Sequence, residues 1–379
     1  MNAHIIGWGK YLPSQVITNA ELAQSAGIDA EWVKTRTGIE QRHIAEPTQA
    51  SAEMATRAAR AALQVADIAP SELDLIIVAT NTPDYWFPAT ACLVQDALGA
   101  NRAGAFDLAA GCSAFVYSLV VADQFIRNGA YRNILVVGVE TVSRIIDWQN
   151  PICAYFGDGA GAVVLTASEQ PGGLLGFALS ADGAGGELLI LRGGGSRYGM
   201  TPDVLARGWQ YGQMDGRAVY RYGLRAMVWM GQRALRHARL KVEDIDLFIP
   251  HQTNLQLVQQ VAQKLRIPIE KTLVNMARYA NLSSAAIPVS LCDAIEAGRI
   301  QPGNRLLITA FGGGLTSAGA VWQWAPVLPT KPMSLTRRFF HALWDAQAAF
   351  RSRFFRLEHR LNTLAPLEEE EAEKGSDRQ

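Results

Sequence analysis

One helix–loop–strand unit occurs twice in this chain, and that repetition limits the fold more than any other feature. Residues 58–77 read as an alanine-rich helix, a short Pro-Ser-Glu loop and an apolar strand, and residues 232–249 read the same way. Residues 125–137 and 294–308 match in turn: each ends a helix at an Asn-Gly or Ala-Gly pair and re-enters a strand. Strand-like runs at 75–80, 134–139, 162–166, 247–250 and 306–310 alternate with helical periodicity at 53–65, 113–128, 221–236, 254–265 and 285–297. Alternation of this kind predicts an α/β architecture. Its repetition predicts duplicated halves, at 1–170 and 171–328, followed by a separate segment, 329–379.

The repeat also aligns residues with chemistry. Gly129 follows Cys112 by 17 residues, and Gly298 follows Asn281 by 17. If the two glycines are equivalent, Cys112 and Asn281 open the same helix in their respective halves. His251 comes directly after the strand at 247–250. All three then fall at loop-to-helix junctions at one end of the strands, where open α/β sheets collect their ligands. Helix N-termini carry unpaired N–H groups and favour an anion, so a cysteine there is expected to ionise more readily and act as a nucleophile.

Cys, His and Asn support two chemistries. In one, the imidazole is a base oriented by the amide, as in cysteine hydrolases. In the other, the thiol takes an acyl group while imidazole and amide donate hydrogen bonds to an enolate oxygen. The glycines of Phe311-Gly-Gly-Gly-Leu-Thr316 suit a backbone that approaches a ligand and presents N–H groups, so the amides of this loop form, with that of Cys112, a candidate oxyanion hole. The loop Phe156-Gly-Asp-Gly lacks the Lys-Ser/Thr ending of a phosphate loop and does not read as nucleotide-binding.

Composition narrows the classes. Of 379 residues, 49% are hydrophobic and 18% charged, with 35 basic against 35 acidic. A zero net charge gives no field for nucleic acid, and no run reaches the length of a spanning helix, so a membrane partner is not expected. No secretory leader is visible, and the expected location is cytoplasmic. The four cysteines, Cys92, Cys112, Cys153 and Cys292, form no CxxC pair, which argues against zinc or a disulfide framework. All but Cys112 are expected to be inert core residues.

Taken together, Trp32-Val-Lys-Thr-Arg-Thr-Gly-Ile39, Phe87-Pro-Ala, Gly111-Cys-Ser, Phe156-Gly-Asp-Gly-Ala, His251-Gln-Thr-Asn and Phe311-Gly-Gly-Gly resemble β-ketoacyl-[acyl carrier protein] synthase III, of the thiolase-like superfamily. The resemblance covers about residues 1–326. It implies a thiolase-like fold with duplicated α/β halves in an αβαβα arrangement, and a homodimer. It also implies a decarboxylative Claisen condensation between an acyl-coenzyme A primer and malonyl-acyl carrier protein that starts fatty acid synthesis, with no metal or redox cofactor. In that scheme Cys112 holds the acyl group, His251 and Asn281 stabilise the enolate, and the amides of Cys112 and Gly313 hold the thioester oxygen. Trp32 would stack on the adenine, Arg36 and Asn254 would line the coenzyme A tunnel, and Phe87 would close the far end of the acyl pocket. A related condensing enzyme of a polyketide, quinolone or long-chain ketone pathway is the alternative.

Three positions depart from the family pattern. Gln256 stands where a carrier-docking arginine is usual, so the carrier-facing set becomes Gln252, Gln256, Arg221 and Lys264, with Arg225 nearby. Asn150 replaces a second tunnel arginine, and residues 185–216 are longer than usual and rich in glycine and arginine. A C-terminal helical extension is also unusual for the family. Apolar residues recur there with helical spacing at Leu335, Phe339, Leu343, Ala346, Phe350, Phe354, Leu357, Leu361 and Leu364, accompanied by six arginines. It reads as a helix packed on the body or on a dimer mate, or alternatively as a basic surface for an acidic carrier or a membrane face. An acidic tail begins at Glu368.

Overall fold

The computed structural model describes residues 1–324 and 335–362. The first half runs β1 (Asn2–Tyr11), β2 (Gln15–Thr18), α1 (Asn19–Ala26), α2 (Ala30–Thr37), β3 (Gln41–Ile44), α3 (Ser51–Ala66), β4 (Leu75–Ala79), α4 (Thr90–Leu98), β5 (Gly104–Leu108), α5 (Ala114–Arg127), β6 (Asn133–Glu140) and β7 (Gly159–Ser168). The second runs β8 (Gly173–Ala181), β9 (Leu189–Leu191), α6 (Pro202–Ala206), β10 (Gly212–Met214), α7 (Gly216–Ala238), β11 (Leu247–Pro250), α8 (Leu255–Leu265), α9 (Met276–Tyr279), α10 (Ala286–Glu296), β12 (Arg305–Gly312) and β13 (Thr316–Gln323). A last helix, α11, spans Leu335–Asn362.

The two large sheets share one plan. The first is ordered β1-β7-β6-β4-β5 and the second β8-β13-β12-β11. In each, the first two pairings are antiparallel and the next is parallel. The fifth strand, β5, is specific to the first sheet; in the second sheet a single parallel bridge between Phe248 and Thr272 takes its place.

Burial explains the layers. The strand β4, Leu-Ile-Ile-Val-Ala, is buried at every residue, as a parallel strand covered on both faces must be. Helices α5 and α10 are apolar around most of their circumference, with Phe115, Leu119, Ile126, Ile287 and Leu291 buried, which marks them as core helices. Both lie between the sheets: α5 packs on strands of each, and α10 packs on β1, β6, β7 and β11. Amphipathic α3 covers the outer face of the first sheet, and α7 with α8 covers the outer face of the second. The result is the αβαβα sandwich of a thiolase-like fold.

Two expectations change. Cys92 is exposed on α4, so it is not a core cysteine, while Cys153 and Cys292 are buried. The helix at 335–362 touches the body at α4, where Ser352 Oγ donates to Asp96 Oδ2 at 2.8 Å. Its apolar stripe points elsewhere: Phe339, Leu343, Phe350, Phe354 and Leu357 are all exposed. A polar contact thus ties the helix to α4, while these five apolar residues of the stripe stay exposed. Leu364, the prolines at 326, 329 and 332 and the acidic run from Glu368 lie outside the described residues. A polar contact of this kind contributes about 1 kcal/mol. Deletion of residues 333–379 is expected to leave the urea-unfolding free energy of the body within about 1 kcal/mol of the full chain.

Candidate active site

The site forms where a loop from each half meets the other. Gly111 has φ +56°, and a Cβ built on it would lie 2.5 Å from the carbonyl oxygen of Gly313. A Cβ on Gly312 would lie 2.2 Å from the amide nitrogen of Cys112. Only glycine fits at either position, so the two strand ends cross in backbone contact. That crossing sets Cys112 two residues before α5, beside the Gly-rich loop that follows β12.

The thiol lies against polar groups. Ser283 Oγ is 3.2 Å from Cys112 Sγ, and backbone groups of Cys112 and Gly313 also favour the thiolate. They do not win. Burial pushes the thiol up to about 12, and the charge of Glu140 adds to the rise. The easy ionisation expected from a helix start is overturned: a dry site costs a thiolate more than a few donors return.

His251 and Asn281 form a pair. Asn281 Oδ1 accepts from the Ser283 backbone N–H at 2.8 Å, which fixes it as the oxygen, and His251 Nε2 lies 2.9 Å from the same atom. The imidazole therefore carries its proton on Nε2. Its Nδ1 is buried without a hydrogen bond of ordinary geometry, although the Phe311 backbone is close enough to favour the protonated ring. Burial outweighs that help, and the pKa falls to about 4. Asn281 is itself held by its backbone, its N–H donating to Tyr155 and its carbonyl accepting from Gly157. The Phe156-Gly-Asp-Gly loop is thus a clamp for Asn281. It is anchored by buried Asp158, whose carboxylate accepts from Ala45 N–H and from both the N–H and the hydroxyl of Ser143.

Cys112, His251 and Asn281 line one pocket of about 900 Å³, along with Phe311. Trp32 and Arg36, one turn apart on α2, line the same pocket, and the indole is 39% exposed. Asn254 lines it too, but also works locally: its Oδ1 caps α8 at Leu257 N–H and its Nδ2 donates to the Arg36 carbonyl. Arg221 and Gln256 are in the lining, and the sequence reading missed Arg217 beside them. Leu189 and Met214, from the long 185–216 segment, supply part of the wall.

Other expected positions do not converge. Gln252 is 1% exposed; its amide donates to the Pro250 and Leu273 carbonyls and its oxygen accepts from Asn275 N–H, so it braces the fold and cannot meet a carrier. Lys264 is exposed on α8 but is not part of the pocket lining. Arg225 lines a second, smaller pocket, and Asn150 caps the turn at 151–155. Phe87 is 86% exposed on the loop before α4, and does not close the pocket of its own chain. Two polar residues at the sulfur escaped the sequence reading. Ser283 is marked only by standing two residues after Asn281, and Glu140 only by ending an otherwise apolar strand at the ligand-binding end of the sheet.

Comparison with known proteins identifies the family. Two family models match: 3-oxoacyl-[acyl-carrier-protein (ACP)] synthase III at residues 106–183, and the C-terminal model of the same name at residues 235–324. Beta-ketoacyl-[acyl-carrier-protein] synthase III of Roseiflexus sp. (strain RS-1) is 44% identical over 85% of this chain and 98% of its own. The protein of that name from Desulfitobacterium hafniense (strain Y51) is 45% identical over 85% and 97%. The crystal structure of 3-oxoacyl-[acyl-carrier-protein] synthase III from Aquifex aeolicus VF5 superposes with a TM-score of 0.79 at 42% identity, covering 85% of this chain and all of that one. A priming β-ketosynthase from the R1128 polyketide pathway superposes equally well, at 0.79, but at 32% identity. With this identity sustained over nearly the full length of its relatives, the chain belongs to the 3-oxoacyl-[acyl-carrier-protein] synthase III family.

Proposed function

We propose that the protein transfers an acyl group from coenzyme A to Cys112, then condenses it with a malonyl unit on acyl carrier protein as carbon dioxide leaves, the first condensation of fatty acid synthesis. The observation that carries this reading is the neutral His251–Asn281 pair beside a buried thiol, in one pocket open to the surface. A hydrolase would need the imidazole turned to the sulfur as a base. Here Nε2 faces Asn281, and a ring with a pKa near 4 is a poor acceptor for the proton of so weakly acidic a thiol. The pair is better suited to donate: once an enolate oxygen enters, the Nε2–H exchanges Asn281 Oδ1 for that oxygen, and the Asn281 amide N–H is a second donor to it. Each such donor is worth about 3 kcal/mol in a transition state. The amides of Cys112 and Gly313 serve the oxygen of the acyl-Cys112 thioester in the same way.

The mouth supports the substrates' chemistry. Trp32 offers a flat face to a purine, and Arg36, on the same face of α2, offers a cation to its phosphates. Arg217 and Arg221, on α7, flank Gln256 on α8 and supply the positive charge that an acidic carrier protein would meet. The helix α11 stands on α4, which does not line the pocket, so the carrier contact is assigned to α7. A homodimer accounts for two further features: the exposed Tyr85-Trp86-Phe87 loop and the open edge of β5. Phe87 then reaches an acyl pocket only by crossing to the partner. The setting is cytoplasmic, and the reaction as drawn needs no metal or redox cofactor.

Three outcomes test this reading. Radiolabelled acetyl-coenzyme A should label Cys112, and malonyl carrier protein should discharge the label into a β-ketoacyl product; Cys112→Ser should take up none, and release of free acetate would instead mark a hydrolase. Replacing Arg221 by Glu should raise KM for malonyl carrier protein about tenfold while leaving KM for acetyl-coenzyme A within twofold, by reversing one charge at the mouth. An unchanged carrier KM would remove Arg221 from the docking surface. The third outcome concerns pH. Unfolded His251 binds a proton near pH 6.5, whereas the folded ring refuses it until about pH 4. Its contribution therefore makes stability fall as pH drops through that window. The stability curves of wild type and His251→Gln should diverge by about 3 kcal/mol between pH 6.5 and 4, the wild type being the more acid-sensitive. Parallel curves would place the histidine in contact with water.

A further inference from the structure

The mechanism above leaves one proton unassigned. Cys112 must lose it before attacking an acyl thioester, His251 is turned away, and the thiol is buried. One acceptor is within reach. Ser283 Oγ lies 3.2 Å from Cys112 Sγ and 3.1 Å from Glu140 Oε1. A hydroxyl has a single proton and cannot donate to both. With that proton on the carboxylate side, the lone pairs of Oγ face the sulfur and accept its S–H. Glu140 is fully buried and otherwise occupied entirely by donors: Asn81 Nδ2 at 2.6 Å, Thr82 Oγ1 at 2.7 Å and the Asn81 backbone N–H at 3.2 Å. That set suits an anion. Ser283 is held in place at a cost. Its φ is +50°, a left-handed conformation that serine seldom adopts, and its N–H is tied to Asn281 Oδ1. Backbone strain of this kind persists where a side chain must be aimed.

We propose that Glu140 takes the proton of Cys112 through the Ser283 hydroxyl during acyl transfer and returns it when the condensation releases the thiolate. This rests on the reading of Cys112 as the acyl acceptor. In the first half-reaction the S–H bond breaks, Ser283 passes its own proton to Oε1 and takes the thiol proton in exchange. The sulfur electron pair forms the new C–S bond, and coenzyme A leaves as a thiolate that solvent protonates. In the second, the enolate formed by loss of carbon dioxide attacks the acyl carbon. The C–S bond to Cys112 breaks with its electron pair on sulfur, and the proton comes back from Glu140 by the same path. The enzyme ends as it began, with one thiol and one carboxylate. At most one of the two buried groups is anionic at any stage, which removes the like-charge conflict between them. Burial also raises the proton affinity of Glu140, in keeping with its receiving role.

The test compares wild type with Glu140→Gln, Ser283→Ala and the double variant. The probe is single-turnover labelling of Cys112 by acetyl-coenzyme A from pH 6.5 to 8.5. Each variant is expected to acylate about 100-fold more slowly at pH 7, and the double variant no more slowly than either single one. Wild-type rates should be nearly flat with pH. The variants should gain about tenfold per pH unit, because hydroxide then removes the proton of a weakly acidic thiol. A control in a Cys112→Ala background measures decarboxylation of malonyl carrier protein, which needs His251 and Asn281 but no thiol, and should change less than twofold. A uniform loss of rate without the pH slope, additive effects in the double variant, or a parallel loss of decarboxylation would each overturn the relay. Failure of the wild type to label at Cys112 would overturn the acyl-acceptor reading, and the relay with it.

Discussion

The backbone of Gly312 passes so close to the amide of Cys112 that nothing larger than hydrogen fits between them. Most of the site follows from this crossing. It joins the end of β12 in the second half to the loop before α5 in the first. It sets the amides of Cys112 and Gly313 around one sulfur, and it seats that sulfur against Ser283 at the start of the helix that α5 resembles. Without the crossing, the nucleophile and the His251–Asn281 pair would belong to two separate sheets.

Burial sets the chemistry of what the crossing assembles. A thiol near 12 and an imidazole near 4 are both held neutral by the same dry surroundings. Neither shift helps a protease-like dyad, in which the base must outbid the thiol for a proton. Both help an enzyme that must form a carbanion: a neutral imidazole donates without carrying charge, and a site that excludes water limits quenching of the enolate. The price is a thiol that ionises poorly on its own, and Ser283 links it to the buried carboxylate of Glu140.

Much of this was legible in the chain because it rests on short-range patterns. The buried strand β4, the core helices α5 and α10, and the matched spacings from Cys112 to Gly129 and Asn281 to Gly298 all leave periodic or positional marks. What escaped was set by tertiary contact. Gln252 looked like a surface residue beside His251, yet the backbones of Leu273 and Asn275, more than twenty residues away, draw it inward together with that of nearby Pro250. Phe87 matched an acyl-pocket motif but points into solvent, since a motif cannot say which chain's pocket a side chain serves. Cys112 stands at the helix start that the sequence suggested, but its acidity depends on how much water remains around it. The apolar stripe of α11 was legible as a stripe, and its periodicity gave no sign that Ser352, on another face, would make the contact with α4.

The halves are not equal at their edges. In the first sheet β5 ends in a half-exposed strand, whereas the equivalent edge of the second, β11, is four residues long, wholly buried and bridged by Thr272. A duplicated sandwich with two open edges of the same kind would add copies at both ends and grow into a filament. With β11 covered in this way, any pairing that joins β5 to β5 about a twofold axis uses that edge on both molecules and leaves no matching edge at β11 for a further copy. The difference between these two edges thus favours strand pairing that closes over strand pairing that propagates.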